Sequence, residues 1–304
     1  IFNFIIGTHA IFQENLNFSS LSYVIIDEQH RFGVQQRLYL AEKGINTNIL
    51  LMSATPIPRT LALAQYGEIE QVILKEKPAF QRPIITKVSN IDKIKDIENL
   101  LKKRISNVSQ VYWICPLVEA SETQKYKDVE TRFKSLKNIF GSEVEMLHGK
   151  IKSDQKERII QNFQKGNIKI LVATTVVEVG IDNKNADYIV IENAEKFGLS
   201  QLHQLRGRVG RGNNQGFCFA LYGKDLPDNT INRLKIFKEN LDGFKLSEKD
   251  LEIRGTGDIL GYRQSGDSLF KFVNVYHDQE LIIDALQYVK KLIEKKEYEN
   301  EKFK

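Results

Sequence analysis

Asp27-Glu28-Gln29-His30 places two acids directly after the apolar run Tyr23-Val24-Ile25-Ile26. In open α/β sheets ligands sit outside the carboxyl ends of the strands, where such acids would lie. Phosphoryl transfer needs one carboxylate to hold the Mg2+ shell and a second group to align or deprotonate water. Asp27 suits the first task and Glu28 the second. Acid pairs at strand ends also merely cap the next helix, so the string alone leaves both readings open. His30 has no His or Cys at ligand spacing and does not read as a metal ligand.

Ser53-Ala54-Thr55-Pro56 follows the next apolar run. Its hydroxyls can hydrogen-bond acids on a neighbouring strand end, or form a local turn ahead of Pro56. The segment Gln201–Gly212 is denser. Gln204, Arg208 and Arg211 fall at i, i+4 and i+7, one polar stripe if the segment is helical. Arginines aimed at a γ-phosphate stabilise transition-state charge, worth roughly 10³–10⁵ in rate. Gly207, Gly210 and Gly212 loosen a helix but let backbone approach closely, which a merely solvated arginine face would not require. Thr174-Thr175 ends the run Leu171-Val172-Ala173 and offers hydroxyl and N–H groups to a phosphate backbone. Gly180 and Asp182 follow on a turn, where the acid suits a ribose hydroxyl. Leu147-His148-Gly149 precedes a helical pattern and could similarly meet phosphate, although His148 alone is commonly a turn residue.

The elements that must position these groups alternate. Strands are expected at Phe2–Ile6, Ser22–Ile26, Asn48–Met52, Gln71–Leu74, Ile84–Val88, Val111–Cys115, Glu143–Leu147, Lys169–Ala173, Tyr188–Ile191 and Gly216–Tyr222. Several are Val/Ile-rich with little alternation, as in parallel sheets covered on both faces. Helices are expected at Val34–Lys43, Ile91–Ile105, Glu122–Phe140 and Ser153–Gln164, the last with Ser153 as N-cap. This rhythm predicts an α/β fold with right-handed crossovers. Lys75–Pro83, with two prolines among charges, reads as a linker. After Tyr222 the strands stop; a helix pair with a loop follows from about Asp225, then a Lys/Glu-rich helix from about Asp278. The expected segments are 1–78, 79–224 and 225–304.

Composition bounds the classes. The 304 residues carry 44 Lys+Arg against 39 Asp+Glu, a net charge of +5, with 41% hydrophobic and 27% charged residues. That excludes wholesale disorder, collagen and a coiled-coil rod, and only permits nucleic-acid binding. No stretch reaches the ~18–20 apolar residues of a membrane span. Cys115 and Cys218 are isolated, which excludes a disulfide framework; with no basic-then-apolar leader, a reducing, cytoplasmic setting is expected. The first residue is Ile1, and Ile1–Ile6 reads like the middle of a fold, so a start inside a larger protein is expected.

Taken together, the motifs resemble the DExH-type helicases of superfamily 2, and most closely the RecG family of branched-DNA helicases. The resemblance rests on Gly7-Thr8-His9-Ala10, Asp27–Val34, Ser53–Thr60, Thr174–Asp182 and Gln201–Gly212. Lys249–Gln264 adds a likeness to the translocation motif that RecG proteins share with the transcription-repair coupling factor. The resemblance implies part of a first RecA-like lobe, a complete second RecA-like (helicase C-terminal) lobe, and a C-terminal helical hairpin with its loop. It implies ATP and Mg2+ as cofactors and branched DNA as partner. Asp27, Glu28, Gln204, Arg208 and Arg211 would be catalytic, with Asp27 meeting Mg2+ through water. His30, Gly180 and Asp182 would bind nucleotide. Gly7, Thr8, His9, His148, Thr174 and Thr175 would track DNA. Ser53, Thr55, Arg254 and Gln264 would couple hydrolysis to movement.

The sequence departs from the family twice. No Gly-x-x-x-x-Gly-Lys-Ser/Thr string occurs, so the loop that cradles ATP phosphates is absent from these residues. The expectation is little ATPase activity from this chain alone, with the loop lying N-terminal to Phe2, either in the same larger protein or in a separately encoded N-terminal part. Asn183-Lys184 also stands where the family commonly has Val-Pro. Two alternatives stay open: a coupling-factor-type translocase, or a DNA-binding remnant of a split gene.

Overall fold

A computed structural model describes residues 4–13, 16–29, 39–40, 42–44, 46–54, 70–74, 76, 82–105, 109–116, 127–174, 183–254 and 278–295. The chain divides into two compact units, Ile1–Pro56 and Ile57–Lys304.

The first unit holds two parallel strands, β1 (Tyr23–Ile26) and β2 (Asn48–Leu51), paired Tyr23↔Asn48 through Ile26↔Leu51. Val24, Ile26 and Leu40 form its small core, with Phe18, Leu21 and Leu51 packed against it. A short 3-10 turn spans His9–Phe12. Of the expected strand Phe2–Ile6, residues 4–6 are described and form none.

The second unit is built on six parallel strands: β3 (Ile85–Asn90), β4 (Gln110–Ile114), β5 (Val144–Leu147), β6 (Ile170–Ala173), β7 (Ala186–Ile191) and β8 (Phe217–Tyr222). Their order is β3-β8-β7-β4-β6-β5. Every residue of β4, β6 and β7 is buried, which explains their near-continuous apolar sequence. Side chains alternate between two cores. On one face, Trp113, Val172 and Val190 meet helices α1 (Ile94–Arg104) and α2 (Lys127–Phe140) through Ile97, Leu101, Val129 and Leu136. On the other, Tyr112, Leu171, Ile189 and Ala220 meet α3 (Ser153–Gln164), α4 (Leu199–Arg206), α5 (Asp228–Glu239) and α6 (Gly243–Arg254). A last helix, α7, spans Gln279–Glu294.

Three local expectations are corrected. Gln71–Leu74 forms no strand: Val72 and Leu74 are 84% and 90% exposed, and strand composition stabilises a strand only where its side chains pack against neighbours. Ser153 is the first helical residue rather than the cap; Lys152 precedes it in extended conformation, without a side-chain cap bond. The helical reading of Gln204, Arg208 and Arg211 holds for Gln204 only, because α4 ends at Arg206. Gly207 closes that helix, and Gly210 takes φ +68, a conformation that ends helical continuation.

The expected boundary near residue 78 falls among residues outside the described set. Leu234 and Phe237 of α5 and Leu246 of α6 lie in the same core as Leu199, Leu202 and Leu205 of α4. Both cysteines are buried and free. Burial pushes the Cys218 thiol up to about 12 and also raises that of Cys115. No helix among the described residues is long and apolar enough to cross a membrane.

Candidate functional site

In the first unit the acids stand at the carboxyl end of β1. Parallel pairing brings this end beside that of β2: Met52 N–H donates to Ile26 O (2.8 Å), and Gln29 N–H to Met52 O (3.0 Å). The Asp27-Glu28 and Ser53 segments therefore leave adjacent strand ends, as their spacing predicts. Asp27 is exposed, and its Oδ1 accepts the Glu28 N–H at 2.8 Å. Glu28 takes φ +49, a left-handed conformation that costs a non-glycine residue about 1 kcal/mol or more and recurs where surrounding structure imposes it. Gly7 and Thr8 are exposed ahead of the 3-10 turn that contains His9. The side chain of His9, and all of His30 and Thr55, lie outside the described residues.

In the second unit two candidate groups occupy opposite ends of the sheet. At the carboxyl end, His148 follows β5 and Thr174 follows β6, joined by Thr174 N–H donating to Leu147 O (3.4 Å). His148 is buried, with Nδ1 accepting the Lys150 N–H (3.3 Å). Burial lowers its pKa; Glu130 opposes that, and Lys150 and Lys156 reinforce it. Thr174 is fully enclosed, so a contact between its hydroxyl and DNA would require this edge to open. Thr175, Gly180 and Asp182 lie outside the described residues.

At the opposite end, where β7 and β8 begin, a turn over residues 207–212 carries Arg208 and Arg211. Arg208 N–H donates to Leu205 O (3.0 Å), and Arg211 Nε to Gly207 O (2.9 Å). Gly210 N–H donates to Ala186 O (3.1 Å). A Cβ on Gly212 would lie 2.4 Å from Lys184 O, so this contact demands glycine. Gln204, Arg208 and Arg211 are all partly accessible. Arg254 ends α6, its side chain outside the described set, as is Gln264.

Several residues escape sequence reasoning. Arg206 is 2% exposed and, among the described residues, meets carbonyls rather than carboxylates: it donates to Phe237 O (2.9 Å) and Asn240 O (2.8 Å), and stacks 4.5 Å from the Phe237 ring centroid. It also donates to His203 Nδ1 (3.0 Å), which fixes the His203 proton on Nε2. A cation at these last carbonyls of α5 is favoured by the helix dipole and ties α4 to α5. Burial lowers the Arg206 pKa. The available signal was an arginine in register with Leu199, Leu202 and Leu205.

A second such group closes the sheet's topological switch point. The chain leaves β4 toward β5 on one side and β7 toward β8 on the other, so the crevice between β4 and β7 is where ligands commonly bind. Here Glu192 fills it, accepting from Trp113 Nε1 and pairing with Arg132, which also pairs with Glu98 at 3.2 Å. Among the described residues no group of three acidic, His or Cys side chains forms a metal cage. Asp27, a single exposed oxygen donor, fits Mg2+ held through water rather than directly caged.

Comparison with known proteins defines first a class. Residues 2–64 match the DEAD/DEAH box helicase family, and residues 92–213 the helicase conserved C-terminal domain. The structure of S. cerevisiae Dbp5 bound to RNA and ADP BeF3 shares the fold (TM-score 0.54, 18% identity, 79% of this chain and 63% of that one). The units are thus RecA-like helicase folds. Within that class, ATP-dependent DNA helicase RecG of Borreliella burgdorferi is 48% identical over 280 residues, 92% of this chain and 41% of that protein. RecG of Haemophilus influenzae is 43% identical over 96% of this chain and 43% of that protein. A structure of RecG bound to a three-way DNA junction superposes with TM-score 0.69 at 39% identity, covering 91% of this chain and 35% of that one. The chain belongs to the RecG helicase family. It spans about two fifths of the length of the curated relatives it matches.

Proposed function

We propose that the chain supplies the acid box, the arginine turn and the helical tail of an ATP-driven DNA translocase that remodels branched DNA, such as forks and Holliday junctions, in recombination and repair. The observation that carries this reading is Glu28. It is an acid in left-handed conformation beside Asp27, at the carboxyl end of a parallel strand. Backbone strain of this kind recurs at working sites. In this reading Asp27 holds Mg2+ through water and Glu28 orients the attacking water. Gln204, Arg208 and Arg211 stabilise charge on the γ-phosphate. His30, Gly180 and Asp182 serve the nucleotide. Gly7, Thr8, His9, His148, Thr174 and Thr175 follow the DNA backbone. Ser53, Thr55, Arg254 and Gln264 link hydrolysis to movement.

The phosphate-cradling loop is contributed by a polypeptide segment other than these 304 residues. The exposed Tyr23, Ile25, Ile49 and Leu50 support such a partner, because parallel strands are ordinarily covered on both faces.

Binding of fluorescent forked DNA, titrated with salt, tests the DNA half of this reading. Affinity is expected to fall steeply, as about the 0.9Z power of salt for Z phosphates contacted. Absence of binding to the fork at low salt would overturn it. Phosphate release from MgATP tests the other half: the 304 residues alone are expected to give no DNA-stimulated turnover, and robust turnover would overturn the assignment of phosphate binding to another segment.

A further inference from the structure

We propose that Gln110 and Asn183 are positioning residues, a buried relay of side-chain amides that fixes the turn carrying Arg208 and Arg211. The consequence for a nucleotide rests on the function proposed above, whereas the hold on the turn does not.

Gln110 is fully buried at the head of β4. Its Nε2 donates to both Phe163 O and Ile168 O, at the end of α3 and just beyond it. The amide is thereby oriented, and Oε1 must face the other way. There it accepts from Asn183 Nδ2 at 3.0 Å. That contact in turn orients Asn183, whose Oδ1 accepts the Asn185 N–H at 3.0 Å. The Gln110 backbone N–H donates to Asn185 O at 2.8 Å. Asn183 is itself buried, so each of these polar atoms has exchanged water for a protein partner.

The segment held in this way, residues 183–187, is the one to which the arginine turn is stitched. Gly210 N–H meets Ala186 O, Gly212 lies hard against Lys184 O, and Asn214 Nδ2 donates to Asp187 Oδ2 at 3.0 Å. Asn183 also directly follows Asp182. The relay touches neither arginine, and acts on both through the backbone between Lys184 and Asp187. A valine at 183, the residue common in the family, would leave Gln110 Oε1 and Asn185 N–H without these partners.

The test uses the 304-residue chain, 15N-labelled, without nucleotide, so the outcome does not depend on whether the chain serves ATP. In N183V, amide exchange at Gly210 and Asn185 is expected to quicken about tenfold or more, because each lost buried partner costs roughly that factor. The Arg211 Nε–H resonance, which reports its bond to Gly207 O, is expected to shift, while Val172 in β6 keeps its exchange rate. Unchanged Gly210 exchange and an unmoved Arg211 resonance overturn the proposal. So does uniform acceleration through the whole second unit, which would mark a contribution to stability alone. Q110L, whose side chain does not reach the turn, is expected to reproduce both local changes, with no further change in the double variant. Additive effects would overturn the relay. Should Q110L not fold, N183V alone decides.

Discussion

The described residues form two parallel sheets whose strands look alike in sequence and differ in what covers them. Tyr-Val-Ile-Ile of β1 and Ala-Asp-Tyr-Ile-Val-Ile of β7 both read as strands with two buried faces. In β7 the expectation is met: every residue is buried, between α1 and α2 on one face and α3 to α6 on the other. In β1 only Val24 and Ile26 are buried; Tyr23 and Ile25 stand 56% and 54% exposed. An apolar strand announces a need for cover, and the elements that supply it are set elsewhere in the chain. The catalytic candidates divide in the same way. The acids lie on the thinly covered pair of strands, whereas the arginine turn is stitched to a fully packed unit.

Matched truncations measure this difference most directly. Ile189→Ala in β7 removes a fully buried side chain and is expected to cost about 3 kcal/mol in unfolding free energy. Ile25→Ala in β1 removes a half-exposed one and is expected to cost about 0.5 kcal/mol or less. Denaturant melts of both variants check this. Equal losses would mean that β1 is covered in solution, and the contrast between the sheets would vanish.

Next in size is the ion cluster that plugs the switch point. Arg132→Met strands the carboxylates of Glu98 and Glu192, whose side chains are each 11% exposed and of which Glu192 accepts from the indole of Trp113. Breaking a buried pair from one side costs about 3 kcal/mol or more. The Arg132 side chain is 19% exposed, so about 2 kcal/mol is the expected loss here. The same melts read it, with Trp113 fluorescence as local reporter. Restoration of most of that loss in Arg132→Met/Glu192→Gln would show that the stranded charge, rather than lost packing, carries the effect. No change in Arg132→Met would remove electrostatics from the account of how the second sheet is closed.

Much of the second unit could be read from sequence, because its signals are local. Val-Tyr-Trp-Ile-Cys and Ile-Leu-Val-Ala are strands by their own composition, and α3 runs over Ser153–Gln164 as its pattern predicts. What failed depended on distant partners. Gln71–Leu74 has strand composition but forms no strand. The stop of α4 at Arg206 was signalled by three glycines, yet a charge stripe spaced for a helix argued the other way, and the close approach of Gly212 to Lys184 decided it. Asp27, Glu28 and Ser53 could be paired from spacing, since parallel strands of equal length bring their ends together. Gln110 with Asn183, and Arg206 with Phe237 and Asn240, could not. A polar residue inside an apolar run shows that a partner exists but not where it is.

The smallest expected effect lies at the rim where the packed sheet opens, and it is a pH effect. His148 is buried, and burial holds its pKa below the unfolded value of about 6.5. A group whose folded pKa is depressed adds stability above the unfolded pKa and loses it as pH falls through the folded one. The second unit should therefore weaken as pH falls below about 6.5, as the neutral ring takes up a proton. That proton would occupy Nδ1, the atom that accepts the Lys150 N–H, and would add a cation beside Lys150 and Lys156. Glu130 moderates the cost without reversing its sign. Melting temperatures at pH 7.5 and pH 5.5 should differ more for the natural chain than for His148→Gln, with the other four histidines cancelling in the comparison. An equal or larger drop in His148→Gln would mean that the ring is solvated. The rim of the second sheet would then be as open as the first, and the contrast between the two units would stop short of the edge where DNA contact is proposed.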